Sequence, residues 1–112
     1  MKTFVSTLAL GLSLALSTPV MAQQAAPTVA EADKFVADAE KVLGDFSVYN
    51  AQVQWINNTY ITDDTDAVAA RVGAEGTEMS VKFAGEAARY MNVPGLSYDT
   101  KRKLDILRGG LV

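Results

Sequence analysis

The sequence predicts an all-α fold: two long antiparallel helices plus a short third helix. Three observations carry it. Apolar residues recur at i, i+3 and i+4 from Ala32 to Tyr60, and again, more thinly, from Val68 to Met91. A corner at Thr59–Asp66 combines a β-branched pair with three acids, the composition of one helix end and the next helix start. A Pro94-Gly95 break then sets off a final helical pattern of about a dozen residues.

The first segment, residues 1–22, reads as a secretory signal. Lys2 supplies a minimal basic start, Phe4–Leu16 is apolar apart from Ser, Thr and Gly, and Val20 and Ala22 take the small-residue cleavage positions. Cleavage is expected after Ala22, and the protein is expected to be exported, periplasmic or secreted. The competing reading is an uncleaved anchor. The apolar run is short beside the ~20 residues of a membrane span, so no stable membrane anchor is expected after cleavage. Losing residues 1–22 removes one of ten basic residues and none of thirteen acids, so the net charge moves from −3 to −4. A mildly acidic chain without a basic stripe is a poor nucleic-acid binder, and no nucleic-acid partner is expected. The run Lys101-Arg102-Lys103 reads as a solvated helix face. With no His and no Cys, the chain holds no disulfide and no dyad, triad or zinc site built on those residues.

Residues 23–28 form a flexible leader. Thr28 and Glu31 have the spacing of a capping box, each satisfying an N–H group of the other's turn. A helix is predicted from Val29 to Asn58, with Phe35, Val36, Ala39, Val42, Leu43, Phe46, Tyr49, Val53 and Ile56 on its stripe. Lys34–Asp38 and Lys41–Asp45 are i,i+4 pairs worth a few tenths of a kcal/mol each. Thr62 is the N-cap of the second helix, with Asp63, Asp64 and Asp66 in its first turn. That helix is predicted as one piece up to Asn92, locally weak near Gly73 and Gly76. Its small residues offer either close packing on a neighbour or a bend. Ser97 caps the third helix, Leu96 is placed as a staple, and Leu104, Ile106, Leu107 and Leu111 supply its apolar face. Residues 29–112 form one helical unit, without repeats or linkers.

Such a unit does not close on itself. Two helices near 30 residues are each about 45 Å long, and a third of a dozen residues cannot cover both. A chain this short is also near the lower limit for a self-sufficient core.

The corner carries a family resemblance. Trp55-x-x-Asn58-Thr59-x-Ile61-Thr62, followed by acids, resembles the N-terminal region of the M2 metallopeptidases, the angiotensin-converting-enzyme family of zinc peptidyl-dipeptidases. The likeness spans about Ala30 to Gly109. It implies that residues 29–112 are a truncated piece of a larger helical zincin-type peptidase domain, its N-terminal lid segment. The full enzyme would release C-terminal dipeptides from oligopeptides. It would use zinc, with chloride as in some family members. Trp55, Asn58, Thr59, Ile61 and Thr62 would then shape a lid over the substrate cleft, and the segment's partners would be the oligopeptide substrate and the remainder of the peptidase domain. The family's catalytic H-E-x-x-H is missing, because the chain has no His. No catalytic and no metal-binding residue is therefore assigned, and the segment alone should be inactive.

Other chemistry is weaker. Asp63-Asp64-x-Asp66 offers oxygen ligands for calcium or magnesium, but without a calcium-loop pattern it reads as a charged helix start. Trp55, Tyr49 and Tyr60 could line a groove; the plainer reading is a corner anchor. Asn57-Asn58-Thr59 is formally a glycosylation sequon, read here as helix-end hydrogen bonding. The alternative to a peptidase segment is a stand-alone periplasmic helical hairpin that binds a partner or itself through its apolar stripes. The apolar ending Leu111-Val112 favours the peptidase reading.

Overall fold

The computed structural model describes residues 25–110. The predicted signal segment, Leu111 and Val112 lie outside the described residues. Three helices follow in order: α1 (Val29–Thr59), α2 (Asp63–Ala87) and α3 (Tyr98–Gly109). The described residues contain no strand, so the all-α expectation holds.

α1 starts where its sequence supplies a complete cap. Thr28 Oγ1 accepts from the Glu31 N–H at 3.2 Å, and the Glu31 carboxylate accepts from the Thr28 N–H at 2.7 Å. The Thr28 N–H first, then the Thr28 hydroxyl donating to the same carboxylate at 3.0 Å, and least the Arg89 charge, hold the Glu31 carboxyl below the usual range. Its 31 residues make a rod of about 46 Å. The antiparallel course of α2 is fixed by three approaches along the pair. Asn57 bonds Asp66 at the corner, Phe46 lies against Gly76 midway, and Phe35 meets Phe83 at 6.1 Å between ring centroids.

α2 is continuous through Gly73 and Gly76. Of the two roles open to its small residues, close packing is the one observed. A Cβ added to Gly76 would lie 2.9 Å from Phe46 Cε1, whereas one on Gly73 would meet nothing. α2 does end sooner than its pattern suggests, at Ala87 rather than near Asn92. Ala88 still bonds back to Ala84. The Arg89 and Tyr90 N–H groups then bond to Glu86 and Ala87, three residues back, and Val93 to Tyr90. This tightening turns Tyr90 off the helix line and stacks its ring on Phe35, centroids 5.1 Å apart. The restriction that Pro94 places on Val93 ends the turn, and Gly95 takes φ +85°, which a side chain would strain.

α3 begins at the Ser97 cap, whose hydroxyl accepts from Thr100 N–H at 3.1 Å. It lies against the end where α1 starts and α2 finishes. Thr100 Oγ1 donates to Asp33 at 2.5 Å, and Lys103 Nζ reaches Glu40 at 3.0 Å, so residues rise together along α1 and α3. The core sits under it: Val36, Ala87 and Leu104, with Phe35, Tyr90, Met91, Leu96 and Leu107 packed around them. Ile106, expected on the inner face, is exposed. Thr100, Leu104 and Leu107 occupy that face at helical spacing, and Ile106 stands one residue off it.

Candidate functional site

The corner is built from hydroxyls. Thr62 caps α2, accepting from Thr65 N–H at 3.2 Å, and Thr65 Oγ1 accepts in return from Thr62 N–H at 3.0 Å. Thr thus completes a capping box where Glu or Gln is usual. Thr65 Oγ1 also donates to Tyr60 O at 2.7 Å, drawing the end of α1 to the start of α2. Thr59 Oγ1 donates back to Trp55 O at 2.8 Å. Asn57, rather than the neighbouring Asn58, spans the corner, its amide donating to Asp66 Oδ1 at 2.7 Å. Asp66 therefore has a partner of its own besides its place at the helix start.

Around this polar frame the apolar side chains point outward. Trp55 is 70% exposed and Ile61 78%. Val48, Tyr49, Ile56, Tyr60 and Val68 are exposed as well. Tyr49, Ile56 and Tyr60 belong to the α1 stripe, yet only Val53 is buried among the stripe residues of this half. The reason is geometric. α3 is 12 residues, about 18 Å, and covers the other end. Here α2 alone faces α1 and buries a single seam. Two shallow apolar concavities result. One lies between the helices, lined by Val53, Ile56, Asp64, Thr65 and Val68; the other is the face of α1 formed by Val48, Ala51, Gln52, Trp55 and Ile56.

Trp55, Ile61, Tyr49 and Tyr60 come together only in being uncovered at one end. Trp55 lines the shallow concavity on the α1 face, while Ile61, Tyr49 and Tyr60 line neither of the two concavities. Asp63, Asp64 and Asp66 show no metal geometry: no group of three or more His, Cys, Asp or Glu side chains suited to a metal occurs among the described residues. With no His or Cys in the chain either, the residues present do not fit a catalytic zinc. What the arrangement can do is bury apolar area against another surface.

A further feature of the sequence coincides with this surface. From Phe46 to Thr62 no residue is charged, whereas Glu31 to Asp45 carries five acids and two bases. The stretch carries uncharged polar residues instead, among them Gln52, Gln54, Asn57 and Asn58. Charge returns at the start of α2, with Asp63, Asp64 and Asp66, so the uncharged stretch ends at the corner.

At the opposite end the charged groups form a clasp. Lys103 lies between Asp99 and Glu40, at 2.9 and 3.0 Å, and Arg102 also pairs with Asp99. Lys103 and Arg102 hold the Asp99 carboxyl low, and Asp99 first, then Glu40, holds the Lys103 ammonium high. Among the described residues no helix is long and apolar enough to cross a membrane.

Comparison with known proteins agrees with the corner motif. No curated protein and no solved structure matches the chain. The family model described as angiotensin-converting enzyme, the M2 peptidases, matches residues 26–111, which takes in all three helices and the corner between the first two. The chain belongs to the angiotensin-converting-enzyme family of M2 peptidases.

Proposed function

We propose that this chain is the N-terminal segment of an exported zinc peptidyl-dipeptidase, and that its helices cap the substrate cleft of the full enzyme. The observation that carries the reading is the pairing of a family match over residues 26–111 with a chain that has no His. A peptidase of this kind needs two His and a Glu on one helix to hold zinc and activate water. Those groups, and any chloride site, would belong to the remainder of the domain. The segment would contribute shape. The uncovered tip around Trp55, Ile56 and Ile61 supplies apolar area for the rest of the domain, and the long hairpin limits access to small oligopeptides.

The test is the intact mass of the natural exported protein, detected with an antibody against residues 31–62. A mass several times that of this chain, with H-E-x-x-H in the downstream sequence, is the expected result. A mass equal to residues 23–112 would overturn the proposal. A second assay addresses the chemistry: the purified chain with zinc and a blocked tripeptide should release no dipeptide above a chelator-treated control.

A further inference from the structure

Sulfur occurs at two places among the described residues, Met79 in α2 and Met91 in the tightened turn after it, and the chain has no Cys. Both methionines are partly exposed. Their inner neighbours differ. Met91 packs against the buried cluster of Val36, Ala87 and Leu104, beside Leu96 and Leu107. That cluster is what seats α3 on the hairpin. Met79 takes no part in it. The turn that carries Met91 has solvent on its outer side, where Ala88, Arg89 and Asn92 are exposed. One methionine therefore joins solvent to the seat of α3, and the other does not.

We propose that Met91 is an oxidation site, and that a peroxide acting there loosens α3 from the hairpin. Hydrogen peroxide transfers one oxygen atom to the thioether sulfur. The sulfur–oxygen bond forms as the O–O bond breaks, the sulfur gives up two electrons, and the remaining oxygen takes both protons and leaves as water. A flexible apolar side chain becomes a polar sulfoxide. The new oxygen needs a donor. Every buried side-chain nitrogen and oxygen among the described residues already has a partner, so the core holds no idle donor for it. The sulfoxide is better solvated in water than against the cluster, and its withdrawal removes one wall of the packing around Leu104. α3 feels this first. It has 12 residues, and its buried ones are Thr100 and Leu104. Its charged contact with α1, Lys103 to Glu40, is solvent-facing and adds little. The same reaction at Met79 meets no such cluster. The inference concerns the packing of this chain alone and does not depend on the peptidase reading.

The test treats the chain with hydrogen peroxide, locates each sulfoxide by peptide mass, and follows amide exchange in Thr100–Leu107. Exchange there should rise roughly tenfold or more as Met91 is converted. Methionine sulfoxide reductases should restore the original protection. Met79→Leu should respond as the unmodified chain does. Met91→Leu, which keeps the volume and cannot be oxidised, should hold its protection while Met79 is converted. Met91→Gln places a polar side chain there without any oxidant and should raise exchange in α3 by itself. The proposal is overturned if Met91 stays a thioether while Met79 is converted, or if α3 protection is unchanged once Met91 is a sulfoxide. Equal loss of protection in peroxide-treated Met91→Leu, or full protection in Met91→Gln, would overturn it too.

Discussion

The two ends of the α1–α2 hairpin are made of the same two helices, yet they differ in almost every physical respect. At the end that holds α3, Ala32, Val36, Ala39, Ala84, Ala87 and Leu104 are buried, the aromatic rings of Phe35, Phe83 and Tyr90 meet, and charged residues pair across helices. At the corner end, caps and hydroxyl bonds are complete, but the large apolar side chains face outward. Local structure is equally well specified at both ends. Only tertiary burial differs, and it differs because one end has a third helix and the other does not. A helical pattern therefore states that a face is to be buried without stating that its own chain will bury it.

The largest contrast should come from truncating a side chain at each end. Leu104→Ala removes a wholly buried side chain from the α3 contact and should cost about 2–5 kcal/mol, enough to release α3. Ile61→Ala, in a residue 78% exposed, should change stability by less than about 0.5 kcal/mol. Thermal melts of the two variants measure the difference. Equal losses would break the distinction between the ends.

Next in size is the cross-helix hydroxyl. Thr100→Val keeps the shape of a buried side chain but removes its bond to Asp33, and should cost about 1 kcal/mol in denaturant melts. A pair of glycine variants probes the middle of the hairpin. Gly73→Ala should stabilise by about 0.5–1 kcal/mol, because the new methyl group meets only open space. Gly76→Ala should gain less, since the Phe46 ring must first swing aside.

The smallest effect is the pH dependence of the α3 end. Asp99 and Glu31 are held below their usual range by their partners, so each contributes stability that is fully present above that range. As pH falls through and below the ordinary carboxylate values, the folded state resists a proton that the unfolded chain accepts, and the contribution is lost. The melting temperature should decline over that acid window and stay level from pH 6 to 8. Because all these groups are solvent-facing, added salt should reduce the effect.

Much of this fold is legible in the sequence because it is local. The Thr28–Glu31 spacing and the Ser97 position mark helix starts by hydrogen bonds that close within one turn. Pro94 and Gly95 act through their own backbone preferences. What the spacing leaves open involves two distant residues at once. Tyr90 continues the α2 period, yet its stacking on Phe35 belongs to a tightened turn. Thr100 with Asp33, and Asn57 with Asp66, are polar pairs that no periodicity announces. Gly76 looks like a weakness in isolation and becomes a close approach only once Phe46 is opposite it. The tip is half legible: its motif carries the family likeness and its stripe shows the apolar face, while the exposure of that face depends on where α3 ends up.

The most direct test is amide hydrogen exchange, read residue by residue, on the dilute chain. Protection should be strongest in Ala32–Ala39, Phe83–Ala87 and Thr100–Leu107. It should fall markedly from Phe46 to Val68, where one seam alone holds the helices together. Uniform protection along both α1 and α2 would contradict the account, because it would show that the corner end is stable without any covering surface.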